Sequence, residues 1–288
     1  MTDAMCLIAF AIDVEAGVPL LIAGNRDEFF ERPTAPLHRW ALPNGVEVVG
    51  GRDLRDGGTW LGLNTQGRLA MLTNVRSAQM GPAARSRGEL ASRWLAGDLS
   101  WEQLLDSISP ADYGGFNLVV GDARLGFWGW VSNRNPADPH GEAPPDLFSR
   151  QLPSGLYGLS NATLDTGWPK ALHLKDALAA AMPSPFNERN QAQLLQALGN
   201  SQLVDGGQLP ATGVPQDWER SLSSPFVNIP ERGYGTRSSL LVRVLQQPDQ
   251  AASGLGWQLS LDEWTHGNAP EDRAVWREDQ RRTERLSW

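Results

Sequence analysis

The chemistry available to this chain centres on one thiol. Cys6 is the only cysteine among 288 residues, which excludes an internal disulfide and a zinc site built on several thiolates. It directly follows Met5. A chain that starts at Met5 and loses that methionine would expose Cys6 with a free α-amine beside its own thiol. Such an amine titrates near about 7.7 to 8, so at neutral pH it can accept the thiol proton without a histidine. The alternative is that Cys6 is a small buried hydrophobe in a strand, the usual fate of a lone free cysteine. If Met1 is the start instead, its removal leaves Thr2 first and Cys6 internal, and activation by the residue's own amine fails.

The second feature is Gly24-Asn25-Arg26-Asp27-Glu28, directly after a second apolar segment. In a hairpin the end of strand two returns to the start of strand one, so Arg26 and Asp27 come within reach of Cys6. The cation would favour thiolate and the carboxylate would orient an amine. A surface turn carrying a solvated ion pair is the other reading of the same residues. Familiar ligand loops are absent. Gly50-Gly51 and Gly57-Gly58 are turn glycines, and Asp53-Leu54-Arg55-Asp56-Gly57 lacks the oxygen-ligand spacing of a calcium loop. His38, His140, His173 and His266 show no paired metal-binding spacing, so no cofactor or metal is expected. A histidine brought beside Cys6 by the fold remains open.

The elements that must position these residues can be read from periodicity. Residues 5–12 and 18–23 read as a buried hairpin around the turn Glu15-Ala16-Gly17. Residues 46–49 and 60–63 read as strands, and Asn64-Thr65-Gln66-Gly67 turns the chain into a further strand over 69–73. Apolar residues at helical spacing predict helices over 88–96 and 101–108, with Ser100 as N-cap of the second. Strands over 116–120 and 127–131, a surface excursion over 132–155, helices over 168–182 and 188–198, irregular chain over 201–228, and strands over 236–245 and 257–261 complete the reading. Strands at both ends with helices between suit one α+β domain over 1–288, with 1–4 as a tail or an upstream false start.

Composition narrows the partners. Lys+Arg 25 against Asp+Glu 33 gives a net charge of −8, which argues against nucleic acid or an anionic membrane. With 41% hydrophobic and 20% charged residues the chain can fill a core. Its longest apolar run, 4–12, is about half of what a membrane-spanning helix needs. Acidic residues flank that run, unlike a secretory signal, so a cytoplasmic protein without an integral membrane segment is expected.

Linked motifs then add a resemblance. Asn25-Arg26-Asp27-Glu28 precedes Arg32-Pro33, Gly51-Arg52-Asp53, Gly57-Gly58-Thr59-Trp60-Leu61-Gly62, Leu72-Thr73-Asn74-Val75-Arg76 and Ser86-Arg87-Gly88. Further on come Gly158-Leu159-Ser160-Asn161, Trp168-Pro169-Lys170 and Tyr234-Gly235-Thr236-Arg237-Ser238-Ser239. Over residues 5–245 this order resembles the NRDE family, also called the transport and Golgi organisation 2 family. The resemblance implies a four-layer αββα sandwich similar to the cysteine N-terminal nucleophile hydrolases, such as penicillin V acylase and bile salt hydrolase. Family members typically begin Met-Cys, which favours Met5 as the start.

Carried over by that resemblance, Cys6 is the nucleophile, and Arg26 and Asp27 contact it, although the acylases space the latter pair differently. Asn74 and Asn161 resemble the two asparagines that hold amine and oxyanion, and Arg237 the late arginine of the cluster. Preorganised donors at a developing oxyanion are worth about 3 to 4 kcal/mol each. Turn or strand-end hydrogen bonding is an equally common use of such asparagines, and a structural ion pair of such an arginine.

The expected function is hydrolysis of a small non-peptide amide through a thioester. The alternative is a non-catalytic carrier of haem or an acyl lipid in the same cleft, with haem as cargo and not as resident cofactor. A third reading, a structural interaction protein, would tolerate loss of Cys6, Asn74 and Arg237 alike. Trp40, Trp60, Trp128, Trp130 and Trp168 could line an apolar cleft, and core burial is the competing use of each.

Overall fold

A computed structural model describes residues 5–78, 83–141, 143–182, 186–246, 256–267 and 276–287; the expected tail 1–4 lies outside them. The first two apolar segments pair as β1 (Met5–Glu15) and β2 (Val18–Phe29). Their turn needs Gly17, whose φ of 77° is left-handed. Next come β3 (Thr34–Ala41), β4 (Glu47–Asp53), β5 (Leu61–Asn64), β6 (Arg68–Asn74), α1 (Gly88–Leu95) and α2 (Trp101–Asp106). The chain continues through β7 (Phe116–Asp122), β8 (Phe127–Ser132), β9 (Phe148–Gln151), β10 (Gly155–Leu159), α3 (Pro169–Ala181), α4 (Glu188–Leu198) and α5 (Gln216–Ser221). It closes with β11 (Asn228–Ile229), β12 (Tyr234–Gln246), β13 (Trp257–Thr265) and β14 (Arg281–Ser287).

The strands form two antiparallel sheets. The first runs β10-β1-β2-β12-β13-β14, with β11 on β12, so it draws strands from both ends of the chain. The second runs from β3 to β9 in chain order. Alternation along β1 divides the layers. Ile8, Phe10 and Ile12 face Val49, Leu61, Met71 and Val119 between the sheets, while Leu7, Ala9 and Ala11 lie beneath Leu174, Leu178, Leu194 and Leu198 of α3 and α4. Covered on both faces, β1 reads as a continuous apolar run. Across the second sheet, Ala70, Leu72, Leu118 and Val120 meet Leu90, Trp94 and Leu104 of α1 and α2. The order helix, sheet, sheet, helix is the expected αββα sandwich. Ser100 caps α2 in a capping box with Gln103. Among the described residues, no helix is long and apolar enough to cross a membrane.

The structure corrects several boundaries. Asn25 to Glu28 do not form a turn after strand two; they lie inside β2, which runs on to Phe29. The excursion 132–155 contains β9, and the irregular region 201–228 contains α5. The strands β3, β9, β10 and β14 left no readable pattern, and all four are sheet edges. Edge strands tolerate what interior strands exclude: β3 carries Pro36 beside a register shift, and β14 reads Arg-Arg-Thr-Glu-Arg-Leu-Ser.

One close approach sets how α1 meets the second sheet. A Cβ on Gly58 would fall 2.5 to 2.8 Å from the backbone of Gly88, at the start of α1. Backbone cannot swing aside as a side chain can. Gly58→Ala is therefore expected to lower unfolding stability by about 1 to 3 kcal/mol, read as a lower urea midpoint at unchanged slope; a wild-type midpoint would show that Gly88 can move freely.

Candidate active site

The register of the first sheet builds the site. Cys6 on β1 pairs with Arg26 on β2, and Arg26 with Ser238 on β12; the neighbouring row is Met5, Asp27 and Thr236. Alternate residues face opposite sides of a sheet, so Cys6, Arg26 and Glu28 face the space between the sheets. Asn25 and Asp27 face the helical layer, where the Asn25 amide donates to the carbonyls of Leu198 and Pro225 at 2.9 Å each. Cys6, Arg26 and Glu28, together with Trp60 and Asn74, line a cavity of about 860 Å³.

Cys6 is 4% exposed. Burial first, and then the Asp27 carboxylate, push its thiol up to about 12 against the lowering pull of Arg26 and a hydrogen bond from the Asp27 backbone. The thiol thus keeps its proton at neutral pH while residue 6 is joined to Met5. Arg26 is held by Glu28 at 3.3 Å, and its Nη1 is buried without a hydrogen-bond partner among the described residues.

The two asparagines meet but do different things. Asn161 Nδ2 donates to Asn74 O at 3.1 Å and to Asn74 Oδ1 at 3.0 Å, and its own Oδ1 accepts from Ser160 Oγ. Ser160 Oγ also lies 3.2 Å from the Cys6 carbonyl. With its carbonyl fixed by Asn161, Asn74 is left with a buried Nδ2 donor that has no partner among the described residues. Asn161 orients; Asn74 is the one with a donor to offer.

Behind Cys6 lies a buried ionic group to which sequence reasoning gave no role. Arg76 pairs with Glu219, and the Arg76 Nε lies 3.3 Å from the Met5 sulfur. Lys170 Nζ donates to the Leu222 carbonyl at 2.9 Å. Tyr234 Oη accepts from the Met5 backbone at 2.9 Å, and Thr236 Oγ1 donates to Asp27 Oδ1 at 2.6 Å, leaving Asp27 Oδ2 unpartnered among the described residues. Burial raises the Asp27 carboxyl and lowers the Lys170 ammonium, each shift opposed by the charge of the other. Removing one member of the Arg76–Glu219 pair would strand a buried charge at a cost of about 3 to 5 kcal/mol. Arg76, Lys170, Tyr234 and Thr236 all stand inside motifs visible in the sequence; Glu219, in the short α5, had no such signal.

Arg237 is not brought to the thiol. It is the extra residue at the register shift of β12, and its Nη1 donates to the carbonyls of Phe29, Phe30 and Arg32. It clamps the turn leaving β2. The histidines are engaged elsewhere: His38 with Pro36, His140 with the Arg76 carbonyl and stacked on Trp168, and His173 with Asn200. His266 meets Ser239 at 2.9 Å, but the pair is not a nucleophile and its base. Asn25 spends both amide hydrogens on carbonyls, so Ser239 gives its proton to Asn25 Oδ1 and accepts from His266 Nε2. Of the five candidate tryptophans, Trp60 lines the cavity, Trp128 and Trp130 belong to the core between the sheets, and Trp40 packs beneath α1. Trp168 lies under the Arg76 guanidinium.

Comparison with known proteins places these features in a family. The family model for Transport and Golgi organisation 2 matches residues 5–251. A Transport and Golgi organization protein 2 homolog from Bos taurus is 34% identical over 265 residues, covering 83% of this chain and 88% of the relative. The Homo sapiens homolog is 33% identical with the same coverage, and the Drosophila melanogaster protein 31% identical over 261 residues. Among solved structures, a Caenorhabditis elegans N-acylethanolamine-hydrolyzing acid amidase ortholog is similar with a TM-score of 0.48 and 14% identity, over 91% of this chain and 100% of that one. A mutant conjugated bile acid hydrolase from Clostridium perfringens also gives 0.48, at 10% identity over 98% and 96%. The chain belongs to the transport and Golgi organisation 2 family.

The network under Asn25 has a measurable acid signature. Burial lowers His266 from an ordinary 6.5 to about 4, so the native imidazole stays neutral where the unfolded one takes a proton. Its contribution is complete above pH 6.5 and is lost as pH falls toward 4. The stability advantage of wild type over His266→Gln is expected to shrink by about 2 kcal/mol between pH 7 and pH 5. Asp27, whose raised carboxyl slopes the other way, cancels in that difference. Urea unfolding at the two pH values measures it, and an unchanged gap would contradict the assignment.

Proposed function

We propose that this member of the transport and Golgi organisation 2 family is a cysteine N-terminal nucleophile hydrolase that cleaves a non-peptide amide through a thioester. The observation that carries the reading is the unpartnered Asn74 Nδ2, held by Asn161 in the wall of the cavity that Cys6 also lines. A buried amide donor without an acceptor costs free energy unless a ligand supplies one.

In this reading residue 6 carries a free amine. Because Met5 lies opposite Asp27, that amine falls beside the unpartnered Asp27 Oδ2, which orients it. The amine takes the thiol proton as sulfur attacks the amide carbon. The carbonyl oxygen becomes an oxyanion facing Asn74 Nδ2, with the Arg26 guanidinium adding positive potential. The C–N bond breaks as the ammonium returns its proton to the leaving nitrogen, giving a thioester and a free amine. Water then attacks the thioester, giving up its proton to the same α-amine, and the acid leaves with the thiol restored.

A second reading has one observation in its favour. With Met5 attached, the nitrogen of Cys6 is an amide that takes up no proton and the thiol lies at about 12; in that state the cavity binds an acyl lipid or haem without turning it over.

The two readings separate by experiment. Protein isolated from its native cells is expected to begin at Cys6 by intact mass and to condense with a reagent selective for 1,2-aminothiols. Cys6→Ser should then abolish hydrolysis across a panel of acyl amides, and Asn74→Ala should lower kcat about 100- to 1000-fold. A native chain in which residue 6 remains acylated by Met5 overturns the hydrolase.

A further inference from the structure

The charge on the cavity wall is unlike the charge on the rest of the chain. The chain carries a net −8, yet Arg26, Arg32, Arg52, Arg85, Arg87 and Arg134 all line the cavity, facing Glu28, Glu31, Asp53 and Asp56. Those acids are largely spent on one residue. Arg32 meets Asp53 at 2.6 Å, Asp56 at 2.7 Å and Glu28 at 3.6 Å, and Glu31 is exposed. Arg85 is paired with Glu89 at 2.7 Å.

Three lining guanidiniums stand apart from this pairing among the described residues: Arg55, which is exposed, and the partly buried Arg52 and Arg134. Arg52 lies over the Trp40 ring at 4.6 Å and donates Nε to the Gly57 carbonyl at 3.3 Å. Among the described residues the Arg134 guanidinium donates only to the carbonyl of its own neighbour, Asn133, at 3.3 Å. Neither forms an ion pair among the described residues. Arg134 is half-buried, and burial without a compensating acid lowers its guanidinium. Its seat is also shaped. A Cβ on Gly115 would lie 3.3 Å from Arg134 Nε and 3.0 Å from Val75 Cβ, and Val75 follows Asn74. The glycine thus lets a cation rest one residue beyond the candidate oxyanion donor.

We propose that Arg134 and Arg52 form an anion-recognition wall, so that the ligand entering beside Cys6 is an amphiphilic amide bearing a carboxylate or phosphate group. Guanidiniums suit such planar or tetrahedral anions because they donate in a fixed fork. Phe29, Trp60, Leu72 and Val75 supply the apolar wall for the remainder. That the ligand is an amide processed at Cys6 rests on the hydrolase reading; the preference for an anion does not need turnover.

The test is calorimetric titration of the full-length Cys6→Ala chain with N-dodecanoylglycine, its phosphonate isostere and its uncharged methylamide. At least one anionic ligand should bind about tenfold or more tighter than the methylamide, and the advantage should shrink with added salt. Arg134→Met and Arg52→Met should each remove most of that advantage while leaving methylamide affinity in place, and Arg134→Lys should retain part of it. Equal affinities, no binding of any of the three, or an advantage that survives both methionine variants overturns the proposal. The unmutated chain separates this proposal from the hydrolase. Anion-selective binding with no cleavage of any amide sinks the hydrolase and upholds the wall, whereas equal kcat/KM on charged and uncharged amides sinks the wall alone.

Discussion

The register between β1 and β2 is the constraint on which the rest depends. Side chains alternate across a strand, so a slip of β1 by one residue against β2 would send Cys6 to the helical layer and bring Met5 into the cavity while Arg26 stayed where it is. The slip is opposed on both faces at once. Ile8, Phe10 and Ile12 must stay between the sheets and Leu7, Ala9 and Ala11 beneath α3 and α4. An apolar core several residues away therefore fixes which side of the sheet the thiol faces. The third strand, β12, completes both rows, and its extra residue, Arg237, holds the turn that leaves β2.

That geometry separates two electrostatic environments a single residue apart. On the cavity side, Cys6 and Asn74 face a space rich in guanidinium groups. On the helical side, Asp27, Arg76, Lys170 and Glu219 are almost fully buried, where unpaired charge is costly and mutual pairing is required. The Cys6 backbone nitrogen joins the two regions. Whether that nitrogen is an amide or an amine decides whether the buried thiol has a base beside it.

Three of the unpartnered polar atoms follow the same division. Asn74 Nδ2 and Arg26 Nη1 belong to cavity-lining residues, and Asp27 Oδ2 to the opposite face of the same sheet. Folded proteins satisfy nearly all buried polar groups, and three of the exceptions are gathered around one thiol. In the Ser239–His266 pair Asn25 commits the serine proton to structure, while His266 Nδ1 is itself without a partner among the described residues.

Sequence alone determined the parts whose signal is local. The apolar runs of β1 and β2, the cap at Ser100, the turns at Gly17 and Gly67, and the motifs carrying Cys6, Arg26, Asp27, Asn74 and Asn161 were legible because each depends on residues a few positions apart. The edge strands were not, since an edge accepts Pro36 or the charged run of β14 without the alternation that marks an interior strand. Nor was the helix carrying Glu219, which is short and set in irregular chain. Only the tertiary structure decided that Asn25 to Glu28 continue a strand instead of ending one, that Asn161 serves Asn74, that Arg237 serves a turn, and that Arg134 has no carboxylate partner among the described residues. Each of these depends on partners tens to hundreds of residues away, and burial and charge pairing act through space, where separation along the chain carries no information.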